Sequence, residues 1–314
     1  MEINSLKPQK ILEKYIGIDV GGTNVKIGIV TKKGELLEKI KYPTAVLTEG
    51  KGFMHNFCKA IQSTLDLYPG INKVGLGVPG LISKDRRTLI NLANIPSLDG
   101  VCIVEELENK FPALQIKLEN DAKVACLGEF YFSEHNLPDS FLMITLGTGI
   151  GGGAMIDGKL FVGGSGNGVE IGHMLGAKDK VYEDFISKRA TVAFVLKELE
   201  KKSNKESALN SIPKDELDSK IIEAALKEGD EVAEKAYHNF GKWLGRNIVS
   251  SLRVLDVRTV LLGGGVAKTF KYIKSPMYSV INEHLGDYYT KDLEIKKASL
   301  GNEAGIIGAA ALNF

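Results

Sequence analysis

The sequence predicts an α/β protein of two lobes with related build. Residues 15–30 read as an apolar strand, a Gly21-Gly22-Thr23 turn and a second apolar strand. Residues 141–156 repeat that design around Gly147, Gly149, Gly151, Gly152 and Gly153, so one strand-turn-strand unit falls in each half. Between them, strand-like and helix-like segments alternate, the pattern of a mixed sheet covered by helices. A length of 314 residues is long for a single core and fits two.

Each element has a local reason. Residues 15–43 give three strands, the last closed by Pro43. Over 50–68, Phe53, Phe57, Ala60, Ile61 and Leu65 recur at helical spacing, and Pro69-Gly70 stops the helix. Residues 74–80 form a short buried strand running into a tight loop, and 89–100 read as loop. A helix over 101–111, a strand over 114–118 and a helix over 122–132 follow. Asp157-Gly158 marks a primed two-residue turn, after which Lys159 to Val162 returns as a strand. Residues 182–199 read as one helix, and 201–220, polar and poorly periodic, as a solvated excursion. Ala233, Ala236, Tyr237, Phe240, Leu244, Ile248, Leu252 and Leu255 line one stripe of a long core-facing helix over 231–255, with Trp243 beside it. A strand over 259–262 leads into the Gly263-Gly264-Gly265 turn, and Val266 opens a helix. A small-residue helix over 303–312 is expected to pack back on the first lobe. The lobes are placed at 1–119, with 303–314 added, and at 120–302.

Two patterns carry chemistry. Gly147-x-Gly149-x-x-Gly152 has the spacing of the dinucleotide fingerprint, as do Gly75, Gly77 and Gly80, yet no helix opens behind either, so that mechanism is absent. A glycine turn between strands still lets backbone N–H groups approach an anion, because no Cβ intervenes. Two such turns on facing lobes could grip a polyphosphate from both sides. The second pattern is Glu119-Asn120-Asp121 at a strand-to-helix junction, which sets a carboxylate and an amide at the open edge of a sheet, where ligands bind. Helix capping by Asn120 or Asp121 accounts for the same residues equally well.

Composition narrows the classes further. Forty basic against 39 acidic residues leave a net charge of +1, with no global field for nucleic acid or an anionic membrane. No apolar run approaches the roughly 20 residues of a membrane-spanning helix. Residues 1–14 lack the apolar core of a signal peptide. Cys58, Cys102 and Cys126, an odd and widely spaced set, read as reduced thiols of a cytoplasmic protein.

Taken in order, the motifs resemble the ROK family (repressors, open reading frames and sugar kinases), which has the actin-like fold of the sugar kinases and the Hsp70 ATPase. The stretch from Asp19 to Lys26 resembles the family's first phosphate hairpin, Leu146 to Gly153 the second, and Leu262 to Val266 the glycine turn that packs on adenosine. Glu119-Asn120-Asp121-Ala122 is similar to the block of the catalytic aspartate, Glu170-Ile171-Gly172-His173 to the Glu-x-Gly-His sugar block, and Asn94 to Gly100 to the sugar loop, with Leu98 where tryptophan is common. The resemblance spans Ile16 to Leu312.

It implies a ligand cleft between the lobes and an ATP-dependent hexose kinase, first of all a glucokinase making glucose 6-phosphate. Fructose, mannose and N-acetylated amino sugars stay open as substrates, and polyphosphate as donor. Gly80, Asn94, Asn120, Asp121, Glu170, His173 and Glu183 would hold the sugar, with Asp121 also the catalytic base. Asp19, Gly21, Gly22, Thr23, Asn24, Gly147, Thr148, Gly149, Gly263, Gly264 and Gly265 would hold the nucleotide, and Mg²⁺ would arrive with ATP. Lys26 is read as a surface strand residue rather than a phosphate partner. The family's habit implies a homodimer. A sugar-responsive repressor is disfavoured, because only 14 residues precede Tyr15, too few for a helix-turn-helix domain. The resemblance fails at one place. The family's cysteine-rich zinc hairpin should follow His173, yet 174–181 contain no cysteine and none occurs after Cys126, so no structural zinc is expected.

Overall fold

The computed structural model describes residues 13–92 and 95–314, and these divide into two compact units. The first holds the described residues up to Phe132 together with Glu303–Phe314; the second is Ser133–Asn302.

In the first unit the strands are β1 (Lys14–Val20), β2 (Asn24–Thr31), β3 (Leu36–Pro43), β4 (Lys73–Val78), β5 (Leu81–Ile82), β6 (Leu89–Asn91) and β7 (Gln115–Asn120). Five of them form one sheet in the order β3-β2-β1-β4-β7. The β1-β2-β3 meander is antiparallel, whereas β1, β4 and β7 run parallel. Ile16 and Ile18 point to one face, where the helices Phe53–Leu67 and Ile103–Lys110 bury Phe57, Ile61 and Leu107. Tyr15 and Gly17, of opposite parity, face the C-terminal helix Ala304–Ala311.

That helix lies close enough to the sheet for side chains to be excluded between them. A Cβ on Gly17 would collide with the Ile306 carbonyl, and one on Gly75 with the Ala309 carbonyl. Its other side meets the helix Asp121–Phe132, where a Cβ on Gly308 would collide with the Val124 carbonyl. The helix Asp121–Phe132 therefore belongs to the first unit, and the expected boundary at 119/120 moves to 132/133.

The second unit contains β8 (Phe141–Leu146), β9 (Ile150–Ile156), β10 (Lys159–Leu160), β11 (Leu175–Ala177), β12 (Lys180–Val181), β13 (Thr259–Gly263) and β14 (Glu294–Lys297). Its main sheet, β10-β9-β8-β13-β14, repeats the succession of the first: an antiparallel meander, then parallel neighbours. Asp157 and Gly158 take φ of 50° and 72°, the primed turn the dipeptide predicts. The long helix Glu231–Leu255 starts at Asp230, whose Oδ1 accepts the N–H groups of Val232 and Ala233 at 3.0 Å. Gly241 and Gly245 let it close on the helix Phe270–His284.

Several elements depart from expectation. Residues 89–100 include β6, paired with β5, and a 3₁₀ turn at Pro96–Leu98. The helix expected over 182–199 breaks at Ser187 into Glu183–Ile186 and Lys188–Leu199, because the Ser187 hydroxyl accepts the N–H of Ala190 and caps the second piece. The stretch 201–220 is largely exposed, as expected, but it is anchored: Asn204, Leu209 and Leu217 are buried, and Lys235 donates to Asn204 Oδ1 at 2.8 Å. Val266 lies in a 3₁₀ turn, Gly265–Thr269, and the helix begins at Phe270. The helix Ser219–Lys227 and β14 had no counterpart in the sequence reading. No helix among the described residues is long and apolar enough to cross a membrane.

The glycine contacts make a direct prediction. Gly75→Ala should lower unfolding stability by about 1–3 kcal/mol, as overpacking of a closed interface does. Gly286→Ala, where nothing lies within 4 Å of the added carbon, should stay within about 0.5 kcal/mol. Urea titration of the two variants checks both values.

Candidate active site

In the first unit the expected residues gather where the parallel strands end. The ladder sets Asp19 beside Gly77, Gly77 beside Glu119, and Val78 beside Asn120. The Gly21–Thr23 turn is closed by Gly21 N–H donating to Asn24 O at 2.9 Å. Thr44 clamps it from outside, its N–H donating to Thr23 O at 3.0 Å and its hydroxyl to Gly21 O at 2.6 Å. Gly22 and Thr23 are left exposed at the tip. Lys26 is not a bare surface residue: its Nζ pairs with Asp19 Oδ2 at 2.7 Å. Asp19 in turn stands over Gly305, where a Cβ would come within 2.9 Å of its carboxyl carbon.

Asn120 is the cap of the following helix, its Oδ1 accepting from Ala122 N at 3.0 Å and Lys123 N at 3.3 Å. Its Nδ2 donates to Gly80 O at 3.2 Å. Gly80 has φ of 82°, and a Cβ there would collide with the Asn91 carbonyl, so only glycine fits. Asp121, half-buried, accepts the N–H of Ala122 on Oδ1 at 2.8 Å. Asn120 thus reaches two N–H groups of the first turn, and the Asp121 carboxylate shares one of them, that of Ala122.

Beneath them lies an ion pair that no sequence pattern announced. Glu119, buried, accepts Asn120 N–H at 2.8 Å and meets Arg86 Nε at 3.2 Å. Burial raises its pKa above the ordinary carboxylate value, outweighing the backbone hydrogen bond and Arg86, which pull it down. Arg86 itself holds φ at 60°, rare for a side-chain-bearing residue. Asn94 lies outside the described residues. Leu98 is buried in the core of this unit.

In the second unit the other two glycine turns come together. Gly147 N–H donates to Gly149 O at 2.9 Å, and Gly147 O accepts from Lys188 N at 3.2 Å. Thr148 stands exposed at the tip. Gly264, with φ of 80°, presses on Leu146, since β13 runs beside β8. A cavity of about 480 Å³ opens beside the third turn, lined by Lys188, Thr191, Lys220, Tyr237, Gly265 and Lys268 among others. Burial pushes the Tyr237 phenol up to about 12, so it stays neutral. A larger groove of about 590 Å³ near Phe194 and His238 contains none of the expected site residues.

Glu170, half-buried, and His173, exposed, sit on the same unit, with His173 Nδ1 and Glu170 Oε2 3.7 Å apart. Glu183 does more than the sequence suggested: its Oε2 accepts Ile150 N–H at 2.9 Å, and a Cβ on Gly149 would run into this carboxylate. Its own N–H donates to Gly172 O at 3.0 Å. After His173, β11 and β12 form a short hairpin turned by Lys178 and Asp179, with φ of 52° and 58°. Phe185 backs it at Gly176 and stacks on Trp243 at 3.9 Å between centroids.

A family model of the ROK family matches residues 15–313. The chain belongs to the ROK family. Among solved structures, a proposed sugar kinase of Cytophaga hutchinsonii is 42% identical, with 96% of this chain and 99% of that one covered and a TM-score of 0.87. A ROK-family glucokinase of Streptomyces griseus, solved with glucose and AMPPNP, is 27% identical, with coverage of 95% and 98% and a TM-score of 0.81. An N-acetyl-D-glucosamine kinase of Histophilus somni is 28% identical, covering 95% of this chain and 98% of its own. The fold is accordingly the actin-like ATPase fold of ROK sugar kinases. Within that ROK fold the Arg86–Glu119 pair lies directly under the Asn120-Asp121 block.

The raised pKa of Glu119 sets a sign for its pH dependence. A carboxyl whose folded pKa is raised stabilises most when protonated, below its ordinary value of 4.5, and loses that contribution as pH rises through the folded value. The stability of the wild type relative to Glu119→Gln should therefore be greatest near pH 4 and decline toward pH 7, measured by urea titration across that range.

Proposed function

We propose that this ROK protein transfers the γ-phosphoryl group of ATP to a hexose hydroxyl, with glucose the preferred acceptor and carbon six the position modified. The observation that carries the reading is Asp121, a half-buried carboxylate at the end of two parallel strands, beside an asparagine that already does the capping. Asn120 has committed Oδ1 to the helix and one amide hydrogen to Gly80; its second amide hydrogen is available to a sugar hydroxyl. Glu170, His173 and the second oxygen of Glu183 supply further acceptors and donors. Such groups select hydroxyls because an absent partner leaves them unpaired.

The residues fit a nucleotide. Backbone N–H groups of the exposed turn tips suit phosphate oxygens, and the lysine-lined cavity beside Gly265 suits the rest of a nucleotide. Asp19 would offer a hard oxygen donor of the kind Mg²⁺ takes alongside phosphates and water. Bound Mg²⁺ would neutralise charge between the β- and γ-oxygens. Asp121 takes the proton from the sugar hydroxyl as its oxygen bonds to the γ-phosphorus. The bond from that phosphorus to the β,γ-bridging oxygen breaks, and ADP leaves. Base catalysis of this kind contributes about 10²–10⁴-fold.

ADP release measured over a panel of hexoses with Mg²⁺ and ATP tests the reading. Glucose should give a higher kcat/KM than N-acetylglucosamine or N-acetylmannosamine. A preference for an acetylated sugar, which the Histophilus somni relative makes the leading alternative, would overturn the choice of glucose. Turnover with no hexose would overturn the kinase itself. In the same assay, Asp121→Asn should keep sugar binding and lower kcat by at least about 10²-fold; a loss of only a few-fold would mean that another group is the base.

A further inference from the structure

We propose that Asn247 is a positioning residue that holds the segment Glu170-Ile171-Gly172-His173 in its working conformation. The proposal rests on the reading that Glu170 and His173 face the sugar. Asn247 lies in the second half of the helix Glu231–Leu255 and is fully buried, among Leu244, Ile248 and Leu252. An amide in such a place is costly unless it is hydrogen-bonded. This one donates from Nδ2 to the Ile171 carbonyl at 2.9 Å, while its Oδ1 has no partner among the described residues. A carbonyl can only accept, so the NH₂ must face Ile171 and the oxygen must face away. The core thus keeps a half-satisfied amide for the sake of one bond.

That bond reaches the middle of a strained segment. Val169, just ahead of it, holds φ at 66°, an outlier for a β-branched residue. Such strain persists only where neighbouring contacts over-determine the backbone. Gly152 receives Val169 so closely that a Cβ would collide with its carbonyl, and a Cβ on Gly172 would lie 2.5 Å from Ile150 O. Glu183 N–H holds the Gly172 carbonyl, and Asn247 holds the one before it. Glu170 and His173 flank these two peptides, so a rotation of the Ile171 peptide would swing both side chains.

Asn247→Leu removes the donor at similar size, and Asn247→Asp sets a second acceptor against the Ile171 carbonyl. Asn247→Ala carries the test if the leucine variant does not fold. Each is compared with wild type for hexose KM, ATP KM and amide hydrogen exchange over 168–174. The expected result is a rise of about tenfold or more in hexose KM with ATP KM within about twofold, and at least about tenfold faster exchange confined to 168–174. An unchanged hexose KM with unchanged exchange overturns the proposal. So does a parallel rise of both KM values with faster exchange throughout the second unit, which is the signature of a merely structural core residue. If the wild type phosphorylates no hexose, the sugar reading fails on its own account, and local exchange still decides the role of Asn247.

Discussion

In the first unit, backbone lies on backbone. The helix Ala304–Ala311 touches β1 and β4 through Gly17 and Gly75, and the helix Asp121–Phe132 through Gly308. Interiors are packed like crystals, so such contacts have no slack to absorb an added methyl group. Two carboxylates take their positions from this one helix. Asp19 rests over Gly305, and Asp121 opens the helix that Gly308 receives. The C-terminal segment is therefore part of the frame of the site, although none of its residues was expected in it.

The second unit solves a related problem with a bracket. The short stretch from Glu183 to Lys188 holds Gly172 through a backbone N–H, Ile150 through a carboxylate and Gly147 through another backbone N–H. The helix break at Ser187 frees the Lys188 N–H for Gly147, because a continuous helix would tie it into its own turns, whereas the Glu183 N–H lies in the first turn and is free either way. Phe185 and Trp243 stack behind the bracket and support the β11–β12 hairpin from one side.

What was legible in the sequence was local. Glycine turns, the Asp157-Gly158 hairpin and the stripe of the long helix each depend on neighbours in the chain. The Glu119-Asn120-Asp121 junction was legible as a place, and its division of labour was not, because choosing the cap needs the geometry of one amide. Contacts between distant segments left no periodic trace. Arg86 reaches Glu119, Asn247 reaches Ile171 and Asn204 reaches Lys235 across intervals that hydrophobic spacing does not report. The stretch 201–220 reads as solvated because most of it is exposed, and its few anchors, Asn204, Leu209 and Leu217, follow no helical or strand period. The helix expected from Val266 starts only at Phe270, because a 3₁₀ turn, Gly265–Thr269, comes first. The lobe boundary was misplaced, since the partner of helix Asp121–Phe132 comes from the far end of the chain.

That last arrangement bears on how the protein is made. Ribosomes deliver a chain from its N-terminus, and domains generally fold as units while it emerges. Here the strands of the first unit precede Ser133–Asn302, yet the helix that packs on one face of their sheet follows it. Ser133–Asn302 is contiguous and can fold as soon as it clears the exit tunnel. Completion thus runs opposite to synthesis. Throughout that interval the face of β1 and β4 that carries Tyr15, Gly17 and Gly75 lacks this helix, so the first unit closes only after the second has been delivered.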